Sequence, residues 1–456
     1  MDSFVRRILF GLMGLMATAN SIAVADVFKQ GLEAFGDQNY TGALAAWVPL
    51  AEQGDLNAMY NVGLIYDEGL GVAEDKARAL EWYLPPAEEG DVSAQFNVAI
   101  IYDFGTGVRE NNAKAIYWYT KAAEQADEQA QYNLALMYAT GEGTKVNIDE
   151  AIKWYRLSAD LGLAAAQHNL GHIYDVGEGV PEDNHEAMAL FKRAATQGYA
   201  DSQYSIALMY DEGDGFIEDD LSAIDWYTKA AEQDHVSAQF NLAIMYDVGE
   251  GIAEGDEQAL KWYSRAAEQG HADSQLNLGI IYENGDGAEV DMGAAMRWYR
   301  RAADQGHRDA QYAIALMFDE GIGLPEDNTA AIDWYTRAAE QGDAMAQNNL
   351  GAMYDEGEGT SMNDKEAVKW YRLSANQGNT IAQNNLGAMY FAGEGIRKNS
   401  AEAYKWFYIA GELGNEDARS NLTLAEKRLP GSHVKKGTKL ALKWLKSYGG
   451  DSTDTH

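Results

Sequence analysis

Residues 91–126 read DVSAQFNVAIIYDFGTGVRENNAKAIYWYTKAAEQA, and this 36-residue frame returns along the whole chain. Tyr102 recurs as Tyr66, Tyr138, Tyr174, Tyr210, Tyr246, Tyr282, Tyr354 and Tyr390, with Phe318 as the one exchange. Gly105 and Gly107 recur without substitution from Gly69 and Gly71 to Gly393 and Gly395. Trp118 recurs from Trp82 to Trp406, and Leu190 is the single departure. A fixed period of this length marks stacked supersecondary units that bury their apolar faces against one another.

Within the frame, Ala94, Val98, Ile101 and Tyr102 fall at helical spacing and form one packing stripe. Gly105 ends this helix A, because glycine takes the left-handed conformation at little cost. Asn111 then opens helix B, and Asp75, Asn147, Asp183, Asp219, Asp291, Asp327, Asn363 and Asn399 repeat it as N-caps. Glu150, Glu186, Glu366 and Glu402, three residues on, predict capping boxes. Helix B presents Ala115, Trp118, Tyr119 and Ala122, and most copies close at a glycine such as Gly90, Gly162, Gly198 or Gly270. Helices this short are marginal alone, below the ~12–15 residues an isolated helix needs. The expected fold is therefore all-α, an α-solenoid of helix-turn-helix units in one elongated domain.

The pattern Ala-x-x-x-Leu-Gly-x-x-Tyr-x-x-Gly-x-Gly-Val followed by Ala-x-x-Trp-Tyr-x-x-Ala-Ala-x-x-Gly resembles the Sel-1-like repeat, a relative of the tetratricopeptide repeat. The resemblance covers ten units over residues 55–414. It implies a right-handed α-superhelix with the A helices on the concave side, used as a scaffold for protein partners. Pro85 and Pro86 fall inside a B helix, where a proline costs about 3 kcal/mol, and predict an irregularity near residues 82–90. Ala126 and Asp234 replace closing glycines.

The two ends differ from the repeats. Arg6 and Arg7, the apolar run 8–17 and Ala23-Val24-Ala25 predict a signal peptide over residues 1–25, cleaved after Ala25. The run is too short for a membrane span, which needs about 20 apolar residues. The adjacent arginines raise a twin-arginine route; general secretion is the simpler expectation. The chain is expected in the periplasm or outside the cell, with no stable membrane anchor. With no Cys in the sequence, disulfides and thiol chemistry are excluded. Residues 26–54 read as a capping hairpin, 415–448 as C-terminal capping helices and 449–456 as a disordered tail. Ala441, Trp444, Leu445 and Tyr448 lie at i, i+3, i+4 and i+7 in a lysine-rich segment that is expected to dock on the last unit.

Lys and Arg number 35 against 71 Asp and Glu, for a formal net charge of −36. Such a balance excludes nucleic acid as a ligand, since duplex binding rests on Lys and Arg neutralising phosphates. It keeps a soluble body apart from its own copies, predicting a monomer, and can steer a basic partner.

Phe96, Ile100 and Asp103 sit roughly opposite the packing stripe of helix A. The first position reads Tyr60, Phe96, Tyr132, His168, Tyr204, Phe240 and Tyr312 in successive or near-successive units; the last reads Asp103, Asp175, Asp211 and Asp247. On A helices lining a groove, these residues would offer aromatic anchors beside carboxylates, fitting a peptide or protein of basic and apolar character. The competing expectation is that the rings pack sideways between A helices and are largely buried. Units over 343–414 carry Asn348 and Asn384 at the aromatic position, which concentrates binding between Tyr60 and Tyr312.

Other chemistry is sparse. His168, His172 and Asp175 have zinc-ligand spacing on one helix, without the glutamate of H-E-x-x-H; chance occupancy of surface positions is the simpler account. Asp211-Glu212-Gly213-Asp214-Gly215 lacks the ligand alternation of an EF-hand. Ser432-His433-Val434-Lys435 matches S-x-x-K without its partner motifs. The expected function is an exported, non-catalytic interaction scaffold without a cofactor, regulating an envelope system or engaging host proteins. The alternative is an envelope hydrolase acting on β-lactams or peptidoglycan.

Overall fold

A computed structural model describes residues 19–251, 253 and 255–451. Most of the expected signal peptide and the last five residues of the expected tail lie outside these. Among the described residues there are 24 helices and no strand, so the all-α solenoid reading holds. The chain divides between Trp226 and Tyr227 into two compact units. The first holds α1 (Ala19–Gly36), α2 (Tyr40–Ala51) and four hairpins, from α3 (Leu56–Glu68) with α4 (Lys76–Glu88) to α9 (Ala164–Val176) with α10 (Asn184–Ala195). It ends with α11 (Ala200–Asp211) and the start of α12 (Asp220–Ala231). The second holds five hairpins, from α13 (Val236–Val248) with α14 (Asp256–Glu268) to α21 (Thr380–Ala392) with α22 (Ser400–Glu412), then α23 (Glu416–Arg428) and α24 (Gly431–Asp451).

Each hairpin is built from the stripes visible in the sequence. Ala94, Val98, Ile101, Ala115, Trp118, Tyr119 and Ala122 are all buried. A buried Val or Ile such as Val98 or Ile101 contributes about 1.5–3 kcal/mol, which supplies what such short helices lack in isolation. The N-cap ladder is present: Asn111 accepts from the Lys114 amide, Asn147 from Glu150 and Asn363 from Glu366. The capping boxes are not closed. The N-cap's own N–H is already spent on the loop, since Asn147 donates to the Tyr138 carbonyl at 2.8 Å and Asn363 to Tyr354 at 2.7 Å. Glu150 and Glu366 turn instead to Lys153 and Lys369 at 2.9 and 3.0 Å.

The two loop glycines do different jobs. Gly321, at φ 68°, ends an A helix and has its nearest neighbour for an added Cβ at 3.3 Å. Gly323, at φ 71°, lies against the B helix of the preceding repeat, and a Cβ there would stand 2.2 Å from the Met292 Cβ. Equivalent close approaches occur at Gly143 on Asn112 and Gly395 on Asp364. The second glycine therefore sets the spacing between neighbouring repeats.

Neighbouring repeats are also tied by buried glutamines. Gln95 donates to the Ala87 carbonyl at 3.0 Å, near the end of the preceding B helix, and accepts from Gln125 at 2.9 Å. Gln125 also donates to the Gly90 carbonyl at 3.1 Å. Pairs Gln167/Gln197, Gln239/Gln269, Gln311/Gln341 and Gln347/Gln377 repeat the contact. The Ala87 carbonyl also accepts from the Gly90 N–H at 3.2 Å, so the glutamine adds a second donor at the end of the helix.

Several expectations are corrected. Pro85 and Pro86 do not break α4, which runs unbroken to Glu88. They fall in its last turn, and their carbonyls still accept from Glu89 at 3.2 Å and Asp91 at 2.9 Å. Ala126 and Asp234 take φ 63° and 65° without being glycine. The helix α24 continues to Asp451, past the residue where the sequence sets the start of the tail. Its Trp444 meets the Trp406 ring at 6.0 Å and stacks on Tyr448 at 4.6 Å, while the Tyr448 hydroxyl donates to the Gln377 carbonyl at 3.3 Å. No described helix is long and apolar enough to cross a membrane.

The two glycines of one loop give a direct test. Gly321→Ala should cost about 1–2 kcal/mol, the ordinary penalty of a Cβ in the left-handed region. Gly323→Ala should cost a further 1–3 kcal/mol or so from overpacking. Urea midpoints of the two variants check the order.

Candidate functional site

The exposed side of the A helices carries the residues singled out from the sequence. Tyr60, Phe96, Tyr132, His168, Tyr204, Phe240 and Tyr312 are all half-buried. Tyr60, Phe96, Tyr132, His168, Phe240 and Tyr312 each meet the buried B-helix ring of the same repeat, and His168 and Phe240 also meet Tyr199 and His271 at the start of the next A helix. The Phe96 and Tyr119 centroids are 5.9 Å apart, Tyr132 and Tyr155 5.8 Å, and Tyr312 and Tyr335 5.9 Å, all tilted. Such pairs are worth about 0.5–1.5 kcal/mol beyond area burial. The rings are held in place and remain partly exposed.

The same buried tyrosine joins the ring row to the carboxylate row. Tyr119 donates its hydroxyl to Asp103 at 3.0 Å and accepts from Asn133 of the next A helix at 3.1 Å. Tyr335 likewise donates to Asp319 at 2.9 Å and accepts from Asn349 at 3.1 Å. Tyr83 to Asp67 and Tyr263 to Asp247 follow, each at 3.2 Å. Burial raises the phenol pKa of Tyr119 well above its ordinary value, with Asp103 beside it adding to the effect. Burial also pushes Tyr155 up to about 12. These hydroxyls stay protonated and act as donors. Asp103 is itself raised above the usual carboxylate value, first by burial. Asp103, Asp175 and Asp211 are half-buried, whereas Asp247 is exposed.

Sequence reasoning missed the asparagine that completes each link. Asn133, Asn169, Asn241 and Asn349 were legible as a 36-residue recurrence, but their role depends on a hydroxyl from the neighbouring repeat. The position of Ile100, already marked as outward-facing in the sequence, forms an apolar row that flanks the rings. Ile100, Leu208, Ile244 and Leu316 are half-buried there, and Leu136 and Ile280 are exposed. The repeats over 92–127, 200–235, 236–271 and 308–343 thus offer a ring, an aliphatic patch and a carboxylate in the same register.

The repeat over residues 164–199 departs from this arrangement. Phe191 stands where all the others but one (Phe407) have tyrosine, and the buried Asp175 Oδ1 has no hydrogen-bond partner. Burial raises the Asp175 pKa, with nearby Asp214 adding to it and His172 opposing. His168 meets Phe191 and Tyr199 at 5.5 and 5.4 Å, and its Nδ1 lies 3.0 Å from the Ser202 hydroxyl. The zinc reading of His168, His172 and Asp175 fails on geometry. Among the described residues their ligand atoms do not gather within ion-binding distance.

The Sel1 repeat family model matches ten consecutive segments: residues 56–91, 92–127, 128–163, 164–199, 200–235, 236–271, 272–307, 308–343, 344–379 and 380–415. The chain is similar to the crystal structure of c5321, a protective antigen present in uropathogenic Escherichia coli strains and displaying an SLR fold. Identity is 32% and TM-score 0.64, covering 90% of this chain and 95% of that one. It is also similar to a Sel1 repeat protein from Oxalobacter formigenes, with 29% identity and TM-score 0.51 over 84% of this chain and 99% of that one. No curated protein matches the chain.

Restoring the missing hydroxyl tests the tyrosine–carboxylate link. Phe191→Tyr should raise stability at pH 7 by about 1.5–3 kcal/mol, the range for a hydrogen bond to a charged group. The raised Asp175 pKa means the folded chain is relieved as the carboxyl takes up a proton, so the gain should shrink as pH falls through that pKa. Denaturation midpoints of both chains from pH 7 down to pH 4 check this.

Proposed function

Because the chain belongs to the Sel1 repeat family, we propose that it is an exported scaffold whose A-helix faces take a peptide or protein of basic and apolar character. The observation that carries this is the half-buried ring held on a buried tyrosine beside a carboxylate, repeated at a fixed interval. A ring already locked in orientation loses little side-chain freedom on binding, so more of its contact energy becomes affinity. Carboxylates in the same register favour Lys or Arg, and the acidic body steers such a partner inward. The fold supports the coarser part of this reading: repeat solenoids serve as surfaces for protein partners.

Export rests on the basic, apolar and small-residue succession of residues 1–25, which directs the chain to the periplasm or beyond. The similar E. coli protein is described as a protective antigen, which fits a chain carried out of the cytoplasm. The role there is the regulation of an envelope assembly or the engagement of host proteins. The hydrolase reading gains no support from position. Ser432 and Lys435 lie exposed on the first turn of α24, and among the described residues the Ser432 hydroxyl makes no hydrogen bond.

Panning a random peptide library on the purified chain tests the reading. Enriched peptides should combine Lys or Arg with aromatic or aliphatic residues. The Phe96→Ala/Tyr132→Ala variant should bind them at least tenfold more weakly, because aromatic anchors commonly carry 2 kcal/mol or more. Enrichment without basic residues, or equal binding by the variant, would count against it. Hydrolysis of a chromogenic β-lactam by the pure protein would favour the enzyme instead.

A further inference from the structure

The B helices of the second unit carry their own ladder, made of cations over indoles. Lys261 lies 4.3 Å from the Trp262 ring, Lys369 4.5 Å from Trp370 and Lys405 3.8 Å from Trp406. Most cations at these sites are also neutralised. Arg265, also over Trp262, holds Asp234 at 2.6 Å; Lys369 holds Glu366 at 3.0 Å, and Lys405 lies 3.7 Å from Glu402.

One stretch breaks the rule. Helix α16 (Met292–Asp304) presents Arg297, Arg300 and Arg301, and α18 (Asn328–Glu340) presents Arg337. Arg301 lies 4.5 Å from the Trp298 ring, while Arg300 and Arg337 both approach Trp334, at 5.0 and 4.2 Å. All four guanidiniums belong to exposed residues. Among the described residues, the single ion pair any of them makes is Arg297 with Asp291 at a long 3.9 Å. Arg297, Trp298, Arg300 and Arg301 line an open depression of about 330 Å³. A chain with 71 acidic residues has left this cluster of arginines without close carboxylate partners.

We propose that the face formed by α16 and α18 recognises a carboxylate-bearing segment of a partner protein. A guanidinium is a planar fork matched to a carboxylate's two oxygens, and stacking on an indole fixes the plane of the fork in advance. Arg300 and Arg337 repel each other across one ring, and a bound anion relieves that repulsion. Charge complementarity selects the occupant. A long polyanion such as nucleic acid would meet the field of a body carrying −36, whereas a short acidic segment senses mainly charges within about 8 Å at physiological salt. This face lies on B helices and is independent of the A-helix surface described above.

The test uses the full chain and an acetylated hexaglutamate peptide, followed by calorimetry or tryptophan fluorescence at two salt concentrations. Saturable, salt-sensitive binding is expected for the wild type and for Arg372→Gln, a control on another B helix. R300Q/R301Q should bind at least tenfold more weakly. R300K/R301K keeps the charge but loses the planar fork, and should bind at least threefold more weakly. Absence of saturable binding by the wild type, or unchanged binding in either double variant, would overturn the proposal. Tighter binding of a single-stranded oligonucleotide than of the peptide would overturn the carboxylate assignment.

Discussion

A carbonyl in the last turn of a B helix, already bonded to a backbone N–H, takes a second donor from a buried glutamine of the next hairpin. Gln95 reaches Ala87 and Gln125 reaches both Gly90 and the Gln95 carbonyl oxygen, so one amide pair grips the end of the preceding helix. Leaving the buried Gln95 amide unpaired in this seam would cost about 1–3 kcal/mol. The apolar stripes would tolerate some sliding of one hairpin on the next. The amide pair and the second loop glycine do not, because both demand one register. Exceptions support the point: Gln131 and Gln383 have unpartnered Oε1 atoms, and the residues 30 positions on are Leu161 and Leu413 instead of glutamine.

The fixed register makes the surfaces periodic. On the A side it presents half-buried rings and carboxylates, joined through a tyrosine whose hydroxyl bridges to the next repeat. On the B side it presents indoles under cations. The first set suits a basic partner. The second is largely neutralised by local carboxylates, except where four arginines gather around Trp298 and Trp334. An acidic chain can thus hold surfaces of both signs, because short-range contacts escape the field of the whole body within a Debye length.

Much of the fold was legible because backbone requirements leave strong residue signatures. Glycine at positive φ, Asp or Asn at N-caps and buried alanines at helical spacing all announced the hairpins. What stayed hidden depends on partners brought close only by folding. The glutamate of each apparent capping box was free to leave because the loop had already used the N-cap amide. His235, His271 and His307 cap three A helices through Nδ1, at 3.1, 3.2 and 3.4 Å, a role that residue type alone does not suggest. The aromatic row was visible, but its seat on the B-helix tyrosine was not, since side-chain spacing along one helix says nothing about which neighbour fills the gap. The zinc spacing of His168, His172 and Asp175 failed for the same reason.

The most direct measurement is the stability of Leu161→Gln. Leu161 is 53% exposed, so little apolar burial is lost, and the new amide would stand where Gln125 stands one repeat earlier. If the amide pair ties repeat to repeat, the variant should gain about 1 kcal/mol by urea denaturation, as a newly formed buried hydrogen bond does. An unchanged or lowered midpoint would show that apolar packing alone sets the seam, and would contradict the account.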